Sequence, residues 1–339
     1  MHADNLQTGD AGHVLVADIG GTNARFALAD PRAAMPLRET GIRRYEVAAF
    51  ASLAEAARRY LDDAGLAPGA LAGAVFAVAG HVDSEGARMT NHPWVVSRTR
   101  LAAALGLDDV RLVNDFTAQA MAIPLLDAAS LAPIGATPAP APLDGDRTFA
   151  IMGPGTGLGV GGLLLRDGRA YALETEGGHA GFAPGTPLEA AILEHLARDY
   201  GRVSNERLFS GPGLANIHRA LCAITGDDAP ALSPEAVAAG ARAGDARCVQ
   251  AVDVFCSALG AAAGDLVLIL GAWDGLFLAG GVTLELVDAL RHSGFRARFE
   301  QKGRFAPVMA GVPTRAILHP EAGLLGAAAI ARRQAGHGP

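Results

Sequence analysis

The sequence has 339 residues, of which half are hydrophobic and 19% are charged, and its formal net charge is -7 at pH 7. A chain of this length exceeds the size at which one hydrophobic core keeps growing, so we expect two globular domains. The acidic balance argues against partners such as nucleic acid or an anionic membrane. It favours chemistry on a small molecule.

Cysteine content and hydropathy indicate a soluble protein of the cytoplasm. The three cysteines, Cys222, Cys248 and Cys256, form no C-x-x-C pair and are too few for a disulfide framework. Residues 1–12 contain acidic residues and no apolar run, which predicts a flexible tail and not a signal peptide. We find no uninterrupted apolar stretch of about 18 residues, so no membrane span is expected.

The first half of the chain predicts alternating strands and helices. "HVLVADIGGTNARFALAD" is typical of a β-hairpin that turns at Gly20 and Gly21. "SLAEAARRYLDDAG" predicts a helix with a serine N-cap that ends at Gly65, and "GAVFAVAG" predicts a buried strand. "RLVNDFTAQA" predicts a strand followed by a helix. The proline-rich "LAPIGATPAPAPLDGD" predicts a linker or surface loop.

The hairpin pattern recurs in the second half. "TFAIMGPGTGLGVGGLLLRDGRAYAL" predicts a strand, a glycine-rich turn, a second strand, an Asp-Gly turn and a third strand. Gly155-Thr156 occupies the place that Gly21-Thr22 has in the first hairpin, which indicates an internal duplication. Several helices follow, and the stretch from Pro234 to Leu270 is long enough for two. The final "GLLGAAAIARRQ" predicts a helix that could pack on the first domain.

The two glycine turns are candidates for phosphate binding, because backbone N–H groups there can approach an oxyanion without a Cβ in the way. The plain alternative is that each turn only closes its hairpin. A dinucleotide fingerprint at Gly157, Gly159 and Gly162 is rejected, since a strand and not a helix follows it. No P-loop sequence occurs in the chain.

Polar residues at the predicted ends of elements suggest a sugar site. They are Asn91, Asn114, Asp115, Glu176, His179 and Glu206. Carboxylates, amides and an imidazole suit a polyhydroxylated ligand, because each hydroxyl both donates and accepts hydrogen bonds. Taken singly, each residue has another explanation. Asn114 or Asp115 could be a helix N-cap, Glu206 a surface acid and His179 a loop histidine.

The order of motifs resembles that of the bacterial glucokinase family, which belongs to the hexokinase, actin and Hsp70 superfamily. The resemblance runs from about Val14 to about Arg332. The motifs that carry it are "ADIGGTNARFAL", "MTNHPW", "VNDFTAQAMAIPLL", "GPGTGLGVG", "EGGHAGFAP", "ERLFSGPGLANI", "FLAGGV" and "SGFRARFEQKGRF".

The resemblance implies an α/β chain with the two-domain actin-like ATPase, or ribonuclease H-like, fold, which has duplicated mixed sheets and an interdomain cleft. It implies a small domain of residues 13–125 plus 319–339 and a large domain of residues 126–318. The activity it implies is ATP-dependent phosphorylation of D-glucose at the 6-hydroxyl, with Mg²⁺. A homodimer is also expected, since dimers are usual in the family.

Site residues are carried over by matching motifs. Asp115 matches the catalytic aspartate, which takes the proton of the sugar hydroxyl. Asn114, Glu176, His179 and Glu206 match the glucose-binding residues, and Asn91 is expected near them. The nucleotide-binding matches are Ala17, Asp18, Ile19, Gly20, Gly21 and Thr22 for the first turn, Gly155, Thr156 and Gly157 for the second, and Ala279, Gly280 and Gly281 for the nucleoside. Asp18 is expected near the magnesium ion.

Differences between this sequence and the motifs of related sugar kinases bear on its metal content and its sugar specificity. Repressor and open-reading-frame kinases carry a cysteine-rich zinc site after the matching histidine, and no cysteine follows His179 here until Cys222, so zinc is not expected. The loop from Ala79 to Gly86 differs from the family pattern and could alter sugar affinity. A kinase for mannose, fructose or glucosamine stays an alternative, as does a non-catalytic sugar-binding regulator.

Overall fold

The computed structural model describes residues 12–67, 70–89, 92–108, 110–139, 143–227 and 230–337. The predicted tail falls almost entirely on residues 1–11, and Asn91 also lies outside the described residues. The chain divides into two compact units. Unit 1 comprises Met1–Leu126, Gly168–Ala172 and Pro320–Pro339, and unit 2 comprises Asp127–Asp167 and Leu173–His319.

The strands are named in chain order. They are β1 (Val14–Ile19), β2 (Asn23–Ala29), β3 (Arg43–Glu46), β4 (Gly73–Val78), β5 (Gly80–Val82), β6 (Gly86–Met89), β7 (Val95–Ser97), β8 (Arg111–Asn114), β9 (Leu131–Pro133), β10 (Arg147–Pro154), β11 (Leu158–Arg166), β12 (Arg169–Thr175), β13 (Gly275–Leu278) and β14 (Thr314–Ile317).

The α-helices are named in the same way. They are α1 (Leu53–Ala64), α2 (Arg98–Leu105), α3 (Asp115–Ala122), α4 (Pro187–Tyr200), α5 (Gly211–Thr225), α6 (Pro234–Arg242), α7 (Ala246–Leu270), α8 (Gly281–Glu285), α9 (Val287–His292), α10 (Phe295–Glu300), α11 (Ala306–Ala310) and α12 (Ala322–Gln334). Single turns of 3-10 helix occur at Val47–Ala49, Ile123–Leu125, Ala128–Ser130, Gly177–His179, Asn205–Arg207 and Gly303–Phe305.

Unit 1 is built on a five-stranded mixed sheet with the order β3-β2-β1-β4-β8. β1 and β2 are antiparallel, and β1, β4 and β8 are parallel. The core strands alternate with helices whose ends the sequence specifies. In α1, Ser52 caps the first turn by accepting the Glu55 N–H, and Glu55 accepts the Ala51 N–H in return. The helix ends at Gly65, which has φ +69°.

Unit 2 repeats this plan in a six-stranded sheet with the order β12-β11-β10-β13-β14-β9. β10 and β11 form the hairpin, and β10, β13 and β14 are parallel. The first five strands of this order correspond one by one to the sheet of unit 1. The prediction of an α/β fold with duplicated mixed sheets is therefore confirmed.

Most local predictions are confirmed and one is partly wrong. Both glycine-turn hairpins form, and the stretch from Pro234 contains two helices, α6 and α7. The proposed linker is not wholly irregular, because Leu131–Pro133 forms the edge strand β9, which pairs with β14. Pairing partners nearly 200 residues apart cannot be recognised from a three-residue strand, and β14 itself carries no strong pattern of its own.

One helix among the described residues, α7, is long and apolar enough by length and composition to cross a membrane. The expectation from the sequence concerned uninterrupted apolar stretches, and Asp253 and Asp265 interrupt this one. Half of its most apolar window is buried inside the protein, and the helix packs against α5, α6 and α10. Phe255 and Leu259 are among its fully buried residues. These contacts are those of a core helix of unit 2.

Candidate active site

The functional residues predicted in unit 1 collect at one edge of its sheet. Parallel strands end at the same edge, and β1, β4 and β8 are paired so that Asp18 lies opposite Ala77 and Asn114 lies opposite Val78. The first glycine turn follows β1, and α3 begins directly after β8. This topology brings Asp18, the turn, Asn114 and Asp115 together, as is usual for ligand sites of α/β sheets.

The first glycine turn is closed by one backbone hydrogen bond. The Gly20 N–H donates to the Asn23 carbonyl oxygen at 2.9 Å, and the Thr22 carbonyl accepts the Val47 N–H. Thr22 is exposed. Across the described part of the chain, the N–H groups of Gly21 and Thr22 donate to no protein acceptor. These two donors are thus available to an oxyanion such as a phosphate.

Asp18 lies beside this turn and is partly buried. Its Oδ2 is 3.5 Å from Arg25 Nη1, which also lies 3.3 Å from Glu321 Oε2. Burial raises the pKa of the Asp18 carboxyl, the Arg25 guanidinium opposes that rise, and Glu321 adds to it. The side chain is still 21% exposed. A bound cation would reverse the rise, because it stabilises the ionised carboxylate.

Asn114 is the N-cap of α3. Its Oδ1 accepts the Phe116 N–H at 2.8 Å, and its Nδ2 donates to the Gly80 carbonyl oxygen at 3.0 Å. Asp115 is the first residue of the helix, and its Oδ1 lies 3.0 Å from the same Phe116 N. The sequence left open which residue capped the helix. Because Asn114 supplies the cap, capping does not by itself explain a carboxylate at position 115.

The position of α3 depends on α12, which lies about 200 residues later in the chain. A Cβ added to Gly326 would lie 1.6 Å from the Ala118 carbonyl oxygen. Only a glycine permits this approach of the two backbones. At the start of the same helix, a Cβ added to Gly323 would lie 2.7 Å from the Asp18 carboxylate. The two glycines let α12 approach both Asp18 and the helix that begins with Asp115.

The second glycine turn, Gly155–Gly157, joins β10 to β11 in unit 2. The Gly155 N–H donates to the Gly157 carbonyl oxygen, and the Gly155 carbonyl accepts the Gly211 N–H from the start of α5, both at 2.8 Å. Thr156 is exposed. Within the described ranges, the Thr156 and Gly157 N–H groups have no protein acceptor. The second turn therefore offers the same pair of free donors as the first.

The predicted nucleoside segment lies next to the second turn. It follows β13, and the Ala279 N–H donates to the Met152 carbonyl oxygen of β10 at 2.9 Å. Gly280 has φ +87°, and a Cβ there would lie 2.4 Å from the Pro154 carbonyl oxygen. Gly281 has no atom within 4 Å of the position that a Cβ would take. The structure thus places these two predicted nucleotide segments side by side.

Glu176 and His179 lie on a loop that runs beside the segment of Glu206. The Asn205 N–H donates to the Ala180 carbonyl oxygen at 2.8 Å, and a β-bridge joins Gly181 to Ser204. The side chains of Glu176 and His179 are 67% and 59% exposed, with 4.0 Å between Oε2 and Nε2. Two carboxylates and an imidazole on adjacent segments can bind several hydroxyl groups at once.

Glu206 connects this loop to the second turn. Its Oε2 accepts the Leu158 N–H, directly after the turn, at 3.0 Å. A Cβ on Gly178 would lie 2.0 Å from the Leu158 carbonyl oxygen, so the loop that carries Glu176 also packs against Leu158. The structure therefore brings together Glu176, His179, Glu206 and the second turn.

A buried ion pair that the sequence did not indicate supports the same loop. Arg298 of α10 donates two hydrogen bonds to Glu189 of α4, at 2.8 and 3.1 Å. Glu189 also accepts the Gly185 N–H at 2.6 Å. The side chains of Glu189 and Arg298 are 5% and 17% exposed. Arg298 belongs to the quoted motif "SGFRARFEQKGRF", which was the available signal, but its partner lies 109 residues away.

Glu189→Gln is expected to destabilise the protein by about 2–3 kcal/mol, because it leaves the Arg298 guanidinium buried without a counter-charge. Chemical denaturation at pH 7 measures the change in the free energy of unfolding. The control is Glu194→Gln on the same helix, whose partner Arg198 is exposed. An exposed pair contributes about 0–1 kcal/mol. Equal changes in the two variants would contradict the supporting role of the buried pair.

Comparisons with known proteins identify the family. The model of the glucokinase family matches residues 15–334. The chain is 59% identical over 319 residues to the glucokinase of Stenotrophomonas maltophilia strain K279a, and 57% identical to that of Xanthomonas campestris pv. campestris strain B100. Each match covers 94% of both chains. The chain belongs to the glucokinase family.

Solved structures agree with membership in the glucokinase family. The crystal structure of a glucokinase from an Antarctic psychrotroph has a TM-score of 0.82 at 35% identity, and the match covers 95% of this chain and 99% of that one. A ROK family glucokinase from Streptomyces griseus, solved with glucose and AMPPNP, has a TM-score of 0.64 at 20% identity, with 95% and 100% coverage. The second likeness supports the actin-like ATPase fold. Glucokinases phosphorylate glucose with ATP.

Proposed function

We propose that the protein transfers the γ-phosphoryl group of MgATP to the 6-hydroxyl of D-glucose, giving glucose 6-phosphate and ADP, with Asp115 as the general base. Phosphoryl transfer requires mainly positioning of the reactants and neutralisation of charge. The two turns supply N–H donors for phosphate oxygens, Ala279–Gly281 lies beside the second of them, and a carboxylate accepts the proton of the attacking hydroxyl.

The observation that carries this proposal is the arrangement at the start of α3. Asn114 caps the helix and is tied to Gly80, so Asp115 stands at a fixed place at the edge of the sheet where Asp18 and the first turn also lie. A carboxylate fixed beside a phosphate-binding turn can take a proton as the hydroxyl oxygen attacks. Asn114 retains one amide hydrogen for a sugar hydroxyl.

The remaining sugar contacts are assigned to unit 2. Glu176, His179 and Glu206 lie on neighbouring segments and present side chains that suit several hydroxyl groups. Asn91 belongs to the proposed sugar site by resemblance alone. Each of these assignments follows the family motif, and the spatial grouping of the three residues in unit 2 supports them.

Asp18 fits a magnesium ion by its chemistry. Mg²⁺ prefers hard oxygen ligands, and in nucleotide sites it uses one or two carboxylates together with phosphate oxygens. Asp18 is a partly exposed carboxylate next to the first turn, and no group of three or more His, Cys, Asp or Glu side chains among the described residues could hold a metal. Asp18 suits an ion that arrives with the nucleotide, where bound magnesium would neutralise phosphate charge.

A coupled assay of ADP release tests the proposed substrate. MgATP is supplied with glucose, mannose, fructose, glucosamine or N-acetylmannosamine, and the controls omit the sugar or the magnesium. We expect glucose to give the highest kcat/KM. A higher value with another sugar would show that the glucose assignment is wrong, and activity without magnesium would contradict the metal assignment.

Glu176→Gln is expected to raise the KM for glucose about tenfold or more, because a neutral amide accepts weaker hydrogen bonds from hydroxyl groups than a carboxylate does. Steady-state kinetics at saturating MgATP measure the change. Glu174→Gln, two residues earlier in β12 and also exposed, is the control and should keep the wild-type KM. An unchanged glucose KM in Glu176→Gln would remove Glu176 from the sugar site.

Two further proposals concern the state of the protein in the cell. We propose that it is a homodimer, since dimers of two-fold symmetry are the commonest soluble assemblies. We also propose a cytoplasmic location, because its three free cysteines suit a reducing compartment and its proposed substrates, ATP and glucose, are present there. Sedimentation equilibrium at micromolar concentration tests the dimer, and a mass of one chain would contradict it.

A further inference from the structure

The side chain of Glu206 has two oxygens in different situations. Oε2 accepts the Leu158 N–H at 3.0 Å, immediately after the second glycine turn. Oε1 accepts no hydrogen bond from any residue that the structure describes. The carboxylate also lies close to the turn, because a Cβ on Gly157 would come within 2.5 Å of Oε2. Oε2 is thus occupied by a hydrogen bond within the protein, and Oε1 can accept a hydrogen bond from a ligand hydroxyl.

The backbone around Glu206 holds the second turn from the other side. Ser210 Oγ donates to the Glu206 carbonyl oxygen at 2.7 Å and caps α5 by accepting the Gly213 N–H. The Gly211 N–H donates to the Gly155 carbonyl oxygen. Residues 206–211 therefore contact both ends of the turn, at Gly155 through backbone and at Leu158 through the Glu206 carboxylate.

The contact at Leu158 is made by a side chain, whereas the contact at Gly155 is made by backbone. Glu206 is only half-buried, and a glutamate side chain gains rotational freedom when it leaves a fixed position. A hydroxyl bound at Oε1 would restrict that freedom and keep Oε2 on the Leu158 N–H. The N–H groups of Thr156 and Gly157 lie within this turn. Because the Glu206 carboxylate holds the end of the turn at Leu158, the direction of these N–H groups depends on that carboxylate.

We propose that Glu206 is a positioning residue for the second phosphate turn, and that its carboxylate couples the binding of sugar to the binding of the nucleotide phosphates. This inference rests on the proposed function, which places a sugar hydroxyl on Glu206. When a first ligand fixes a part of the protein that a second ligand also contacts, the second ligand loses less entropy on binding and its affinity rises. Here the first ligand is the sugar and the second is the nucleotide. The coupling is reciprocal, so nucleotide also tightens sugar binding by the same factor.

The test measures the Kd of Mg-AMPPNP by isothermal titration calorimetry, with and without saturating glucose. The ratio of the two Kd values is expected to be about five- to tenfold in the wild-type protein. In Gly157→Ala the new methyl displaces Oε2 from the Leu158 N–H, and in Glu206→Asp the shorter side chain cannot reach both partners. Both ratios should fall towards one.

Two other variants separate coupling from a merely structural effect. Glu206→Gln keeps an oxygen for the Leu158 N–H at the original reach, so it should restore part of the ratio although glucose binds more weakly. Gly181→Ala adds a methyl where no atom lies within 4 Å, and its ratio should equal that of the wild type. A purely structural role of Glu206 would lower the melting temperature and leave the ratio unchanged.

The outcomes distinguish this inference from the proposed function. A wild-type ratio near one, or a ratio that persists in both Gly157→Ala and Glu206→Asp, overturns the coupling even if glucose is phosphorylated normally. Failure of the wild-type protein to bind or phosphorylate glucose overturns the proposed function and the coupling with it. If Gly157→Ala does not fold, Glu206→Asp alone decides the question.

Discussion

Replacing Asp115 with asparagine is expected to reduce kcat by about 10²- to 10⁴-fold, the range of a general base, while glucose binding is kept. The amide can still hydrogen-bond to the 6-hydroxyl, but it cannot take the proton as the oxygen attacks phosphorus. Asn114 supplies the cap of α3, so the helix should form normally in the variant. Turnover is measured by ADP release, and glucose affinity by calorimetry.

Stability measurements distinguish this catalytic role from a structural one. Loss of a negative charge in the first turn of a helix changes stability by about 0.3–1 kcal/mol, which is far too little to explain a large fall in kcat. Asp62→Asn, an exposed change on α1, is the control and should leave kcat unaltered. Turnover within tenfold of the wild-type value in Asp115→Asn would exclude Asp115 as the general base.

The second large effect is expected from Gly326→Ala in α12. Its Cβ would lie 1.6 Å from the oxygen and 2.4 Å from the carbon of the Ala118 carbonyl group. Both atoms belong to backbone and cannot rotate away, so α3 and α12 must separate. We expect a loss of about 3–5 kcal/mol in the free energy of unfolding, at the upper end of what overpacking causes.

Gly326→Ala should also slow the reaction. Displacing α3 moves Asp115, and a shift of about 1 Å in a catalytic group can reduce the rate about a hundredfold. Denaturant unfolding and steady-state kinetics are measured on the same preparation. Gly73→Ala in β4 is the control, since no atom lies within 4 Å of its added Cβ. Wild-type stability and turnover in Gly326→Ala would show that the close approach of the two helices has no consequence.

The local elements of this protein could be predicted from its sequence because their signals lie within a few residues. Ser52 and Gly65 delimit α1, and each hairpin has its turn between two apolar strands. The prediction of duplicated sheets followed from two such hairpins and is confirmed by the common strand order. At β9 the sequence predicts a linker and not a strand, because the three residues of this strand are stabilised by pairing with β14, far along the chain.

The candidate site could be predicted only in part. The motifs gave the residue types and the order of Asp18, Asp115, Glu176 and Glu206, and the roles of these residues stay predictions. Their contacts were not visible in the sequence. Nothing local to "NERLFSGPG" indicates that Glu206 accepts the Leu158 N–H, 48 residues earlier.

The residue types of the candidate site, the glycine turns and the periodicity of strands and helices can be predicted from the sequence alone, since each depends on neighbouring residues. The tertiary structure decided which of them meet. It assigned the cap of α3 to Asn114, placed Gly326 against Ala118, and joined Glu189 to Arg298. Such contacts join segments that only folding brings together, because close packing and hydrogen bonding depend on distances in space and not on separation along the chain.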